Sequence, residues 1–343
     1  MRTLNVITDP GQVARPVGSI DLFFLKFIKD KRDLPFVHLC LKVACLVLPL
    51  GILLFFVDET FAFWATAAVF VGLQLYLLGP FTLMLHNTSH NLFFKREYKW
   101  GNRLIPWVFC PFMGQSPDTY LSHHIGMHHA ENNLEHDTSS TMAYQRDRFV
   151  DFLKYYFRFL FIGMGELVAY MLFRKKKKYL KLAVIGEATF LGLCVVLAYF
   201  DLRATLVVFL VPLVLVRFLM MSGNWAQHAF IAPEAPGNSY LNSITCINSA
   251  YNRRCFNDGY HIGHHLKPHL HWTEMPHDFK ANADRYAEQR SIVFEGLDYH
   301  QIWLFLMLKR YDRLADQVVN INGMFRSKEE IVEVLKNRLR RFG

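Results

Sequence analysis

Sixteen histidines are placed unevenly along this chain of 343 residues. The run His86-Asn87-Thr88-Ser89-His90 sets two imidazoles four positions apart, which on a helix puts both on one face and within reach of a single metal ion. His124-Ile125-Gly126-Met127-His128-His129 offers three more, His124, His128 and His129. In His261-Ile262-Gly263-His264-His265 the spacing i, i+3, i+4 again brings His261, His264 and His265 to one side. One such group alone is a weak sign, because short histidine patterns arise by chance. Three in one chain make a pattern.

Eight imidazoles exceed what one zinc or one iron accepts, since such ions fill with about four to six ligands. Two metals are implied. Neutral nitrogen donors suit iron, and such a centre can activate dioxygen to a species that removes hydrogen from an unactivated C–H bond, which no side chain does alone. The three groups differ from the glutamate and paired Glu-x-x-His ligands of soluble di-iron bundles. His38, His136, His269, His271, His277 and His300 stand outside the groups and read as ordinary solvated or hydrogen-bonded residues. His123 is set aside because its neighbour His124 gives the better register.

The elements that must position these groups are apolar helices. Hydrophobic residues make up 52% of the chain and aromatic residues 15%, too apolar for an ordinary soluble enzyme yet interrupted by long polar stretches. Four runs, 36–57, 61–85, 180–200 and 202–221, can each cross a hydrocarbon core of about 30 Å at a rise of about 1.5 Å per residue. The linkers between them, Asp58-Glu59-Thr60 and Asp201, are so short that the spans must form two helical hairpins. Lys and Arg number 6 in residues 1–35, 13 in 86–179 and 15 in 222–343, with only Arg203 near a hairpin turn. The positive-inside rule therefore places both termini, the middle loop and all three histidine groups on the cytoplasmic side. Lys42, Lys181 and Arg217 fall inside spans and are expected to snorkel toward that side. The start of the chain, with Asp9, Pro10, Arg15 and Pro16, does not resemble a cleavable signal peptide.

No repeat or linker divides the sequence, which reads as one domain over 1–343, its core at about 36–280 and a C-terminal cytoplasmic tail at about 281–343. Two aromatic segments, 152–173 and 107–113, are expected to lie in the membrane interface, the first leading into Arg174-Lys175-Lys176-Lys177-Lys178. Ile331, Leu335, Leu339 and Phe342 recur at helical spacing beside basic residues, as in an amphipathic helix lying on the membrane or on the protein's own cap. The six cysteines show no CxxC spacing and read as small apolar residues. Glu187, inside a span, reads as a protonated or hydrogen-bonded packing residue. The net charge of +9 fits membrane topology, attraction to anionic lipid and docking of an acidic electron donor.

HxxxH, HxxxHH and HxxHH, separated by two hairpins of transmembrane helix, resemble the histidine boxes of the membrane fatty acid desaturase family over about residues 36–280. Asn224-Trp225-Ala226-Gln227-His228 is similar to that family's Asn-xxx-His element, which implies His228 as a ninth ligand and Asn224 as the holder of a metal-bound water. Leu134-Glu135-His136-Asp137 is similar to a run in acyl-lipid desaturases, where carboxylates orient ligand imidazoles. Three residues separate His86 from His90, unlike the four of stearoyl-CoA desaturases, which speaks against an acyl-CoA substrate. The third box opens with His261 and not with Gln, unlike front-end desaturases. No HPGG haem motif is present.

The expectation is thus an all-α integral membrane protein of four spans in two hairpins with a cytoplasmic helical cap, in the endoplasmic reticulum or bacterial inner membrane. The resemblance implies desaturation of a fatty acyl lipid at two non-haem irons ligated by His86, His90, His124, His128, His129, His228, His261, His264 and His265. Dioxygen is the co-substrate and a separate cytochrome b5 or ferredoxin type protein the electron donor. Hydroxylation or terminal-alkene-forming decarboxylation of a fatty acid or alkane stays open, since family members with nearly the same boxes do each. A non-catalytic haem or metal-transport membrane protein is the remoter reading. Membrane lipid is an expected partner and nucleic acid is not.

Overall fold

A computed structural model describes residues 1–11 and 17–342, so Arg15, Pro16 and Gly343 lie outside the described residues. The chain is mostly helical, 67% helix against 3% strand. In chain order the elements used below are α1 (Lys31–Phe56) and α2 (Thr60–His90). The short α3 (Thr119–His123) runs on as a π-helical turn, His124–His128. Next come α4 (Phe149–Phe161), α5 (Gly163–Phe173), α6 (Lys177–Phe200) and α7 (Leu202–Gln227). Strand β1 (Thr245–Ile247), α8 (His261–Leu266), β2 (Val293–Glu295) and α9 (Lys328–Arg338) complete the set.

Helices α1, α2, α6 and α7 are long and apolar enough to cross a membrane. Only 28 to 44% of their most apolar windows is buried within the protein, so most of that surface needs an apolar solvent. Phe61, Trp64, Val195, Tyr199 and Phe200 stand outward in this way. Glu59 begins α2 by accepting from the amides of Phe61 and Ala62, and Asp201 both ends α6 and caps α7 through the Ala204 amide. A single residue therefore suffices for the second hairpin turn. The spans extend past the limits hydropathy gives. At the polar end of α2, which stays helical to His90, Thr88 and Ser89 turn their hydroxyls back to the carbonyls of Leu85 and His86 and so satisfy them within the helix.

The chain divides into two compact units, each described separately: Met1–Gln12, Met127–Tyr170 and Phe218–Gly343 form the first, Val13–Gly126 and Met171–Arg217 the second. In the second unit, residues 105–118 pack against the long apolar helices. Gln74 of α2 donates to the Phe112 carbonyl at 2.7 Å, and Met113 to Asp118 are buried. The fit leaves no room for a Cβ at Gly186, whose ideal position would lie 1.7 Å from the Pro117 carbonyl oxygen. Arg217 does not snorkel: its guanidinium meets Glu187 at 2.7 Å, and Ser116 donates to the other oxygen of that carboxylate at 2.5 Å. Glu187 is thus a paired, hydrogen-bonded group between α6, α7 and this segment.

The first unit holds a parallel pair, β1 and β2, with Cys246 opposite Phe294. Helix α9 lies on the protein: Ile331, Leu335 and Leu339 are fully buried in one core with Phe294, Tyr299 and Leu306. Its last turn is tied down by Arg146, which is fully buried and donates to the carbonyls of Ala229, Thr141, Tyr144, Arg338 and Arg340. Helices α4 and α5 meet at a bend of 68°. All six cysteines are free.

Candidate metal centre

In the second unit the last turn of α2 carries His86 and His90, whose ring centres lie 5.3 Å apart. The His124 ring stands 4.5 Å from His86 and 5.0 Å from His90, and the Nε2 atoms of His90 and His124 are 3.0 Å apart. Tyr120, one turn before His124, stacks on its ring at 5.2 Å. The helix that presents His124 starts at Asp118, held in the left-handed region at φ 55° while Arg103 and Trp107 donate to its carboxylate at 2.8 and 2.9 Å. Gly126 follows two residues after His124. A Cβ there would meet Met171 at 2.7 Å and Tyr179 at 2.9 Å, so only glycine lets the segment approach that wall.

In the first unit the ligand atoms of His128, His228, His261 and His265 all lie within 4.8 Å of one another. Nε2 of His261 is 3.1 Å from that of His228 and 3.0 Å from that of His265. Two bonds of about 2.1 Å from one metal, set at right angles, span a chord of about 3.0 Å, so this spacing fits a shared ion. The outward nitrogens are fixed. His128 donates from Nδ1 to Asp137 at 2.7 Å, and His228 from Nδ1 to the Asn242 carbonyl at 2.9 Å. Each donation leaves the Nε2 lone pair facing inward. His129 and His264 form a further pair in this unit, with Nε2 atoms 2.9 Å apart.

Protonation agrees with a ligand role. Burial, then the nearby His128, pushes His228 down to about 4. Burial and the neighbouring histidines, His261 foremost, hold His265 well below the ordinary histidine value. Both imidazoles are therefore neutral at pH 7, the state that offers a lone pair to a metal.

The supports of these rings were mostly illegible in the sequence. Asp137 is fully enclosed by donors: besides His128 it accepts from the amides of Asn133 and Ser139 and from the Ser139 hydroxyl. Asn242 is fixed in turn by donating to the carbonyls of Asn132 and Pro236. Asn224, on α7, donates to Tyr155 Oη at 2.8 Å and to the Ser139 carbonyl at 3.0 Å. It is thereby linked to the loop that holds Asp137. Asparagines and serines are common in loops, and nothing in their spacing marks Asn133, Ser139 or Asn242, whereas Asp137 and Asn224 stand in runs that the sequence singles out. The histidines outside the groups engage locally: His38 meets Asp21, His271 meets Thr273, and His300 meets the Leu219 carbonyl.

A family model described as fatty acid desaturase matches residues 59–296, more than half of the chain and all three histidine groups. No curated protein and no solved structure matches the chain.

Proposed function

This chain belongs to the fatty acid desaturase family, and from that premise we propose that it introduces a double bond into a fatty acyl chain carried on a lipid. In the balanced reaction a CH2–CH2 pair, one O2, two electrons and two protons give CH=CH and two waters. The observation that carries this reading is the convergence of four imidazoles, the buried His128, His228 and His261 and the half-buried His265, inside the region the family covers. Two irons, when bound, supply the dioxygen chemistry that removes hydrogen from an unactivated C–H bond.

The chain's own residues have separable roles in this proposal. The four clustered imidazoles hold one iron, and His86, His90, His124, His129 and His264 are the remaining histidine ligands that the family resemblance implies. Asp137 and Asn242 fix the tautomers of His128 and His228, keeping Nε2 free of a proton. Asn224, oriented by Tyr155, is the candidate to hold a water beside the histidines. Electrons come from a separate protein of the cytochrome b5 or ferredoxin type. The chain acts as one functional domain, its termini and histidines on the cytoplasmic side.

Two measurements test this. Protein purified with its activity retained should carry two irons per chain; one metal, or zinc with full turnover, would refute the di-iron assignment. Expression in a yeast lacking its own desaturase should yield a fatty acid two hydrogens lighter than its precursor. Gain of one oxygen would make the protein a hydroxylase, and loss of the carboxyl carbon a decarboxylase. Stoichiometric haem without other iron would overturn both.

A further inference from the structure

Between α5 and α6 the chain turns through Arg174, Lys175, Lys176, Lys177 and Lys178. Arg174, Lys175, Lys177 and Lys178 are exposed, and among the described residues no carboxylate pairs with Lys175, Lys177 or Lys178. Just before them Leu172 and Phe173 are 60% and 71% exposed, so an apolar tip adjoins a cationic ridge at the end of a membrane-spanning helix. That order of chemistry, hydrocarbon then cation, matches a bilayer read from acyl chain to phosphate. Lys175 sits at φ 55°, the left-handed position that ends α5, where its amide and that of Lys176 donate to the carbonyls of Leu172 and Met171. Lys176 differs from its neighbours. It folds inward and donates from Nζ to the Gly126 carbonyl at 2.7 Å, two residues from His124.

We infer that this elbow is a binding site for the phosphate headgroup of an anionic phospholipid, gripped by Lys175, Lys177 and Lys178. Lys176 fixes the elbow to the second histidine segment. The phosphate plane and His124 are thereby held at a set depth relative to each other. Leu172 and Phe173 enter the acyl layer beside the bound headgroup. The site rests on the membrane-spanning part of the proposed function, but its test reads bound lipid and not product, so each can fail alone.

The purified full chain is titrated with phosphatidylglycerol in detergent, and bound lipid is counted by native mass spectrometry. Loss of one lysine near a phosphate weakens attraction by about fivefold, so the triple variant Lys175→Gln, Lys177→Gln, Lys178→Gln should bind about a hundredfold more weakly. A charge-matched variant elsewhere, Lys280→Gln, Lys309→Gln, Arg310→Gln, should stay within about twofold of the parent. Lys175→Gly separates charge from folding: it should bind about fivefold more weakly with a melting temperature no lower than the parent's, because glycine suits φ 55°. Equal loss in the two triple variants, no loss in either, or a destabilised Lys175→Gly would each overturn the site. So would displacement of the lipid by millimolar inorganic phosphate, which would make this a site for a free anion.

Discussion

At the scale of single residues, the chemistry of the site depends on groups that touch no metal. Asp137 accepts from the imidazole of His128 and from three further donors, so Asp137→Asn turns an N–H toward groups that are themselves donors. Iron affinity should fall about 10- to 100-fold, read as earlier release of iron in a chelator titration; unchanged retention would remove Asp137 from the support of His128. His264 and His277 make a second comparison. His264 is buried with Nε2 2.9 Å from His129, whereas His277 is exposed on the next helix. His264→Ala should abolish turnover and His277→Ala leave it within about twofold, provided both variants are equally folded by gel filtration. Equal activity of the two would remove the third box from the site. The histidine groups were legible because the spacing within each matches a helix face. Asn133, Ser139 and Asn242 were not, because each acts through a backbone amide or carbonyl brought near only by folding.

At the scale of elements, hydropathy located the spanning helices well and their ends less well. Apolar composition stops at Leu85, yet α2 continues to His90 through polar residues whose backbone stays hydrogen-bonded, which no hydropathy average registers. The strands were invisible for a different reason: β1 and β2 are three residues each and pair across more than forty residues. The C-terminal segment is the sharpest case. Its amphipathic spacing was plain, but the face it offers, Ile331, Leu335 and Leu339, is buried in protein. Truncation before Lys328 should therefore remove a wall of the core. Burying three such side chains contributes about 5 kcal/mol, comparable to the whole stability of many domains. It would also deprive Arg146 of the Arg338 and Arg340 carbonyls. The truncated protein should fail to elute as a monodisperse species, and one that elutes and unfolds like the parent would show α9 to be dispensable.

At the scale of the whole molecule, orientation follows from which ends of the helices meet. Within the second unit the guanidinium of Arg203, at the start of α7, lies 4.7 Å over the ring of Phe63, at the start of α2. Both hairpin turns therefore sit at one end of that unit, and His86 and His90, at the far end of α2, sit at the other. Arg203 is the cation next to a turn, and Asp201 lies 3.6 Å from it, so this end carries little net positive charge. The opposite end carries Lys95, Arg96 and Lys99 after α2 and the run of cations before α6. By the positive-inside rule such an imbalance, across a bundle whose apolar surface is mostly uncovered, predicts that the basic end faces the cytoplasm. Tags at either terminus, or in the loop after His90, should be labelled by a membrane-impermeant reagent applied to the cytoplasmic face of sealed membranes, and tags beside Asp58 or Asp201 should be protected. Protection of the loop after His90, with the termini labelled, would put the first two histidine boxes on the wrong side of the bilayer from the third. No single site could then use all three, and the di-iron proposal would fall together with the topology.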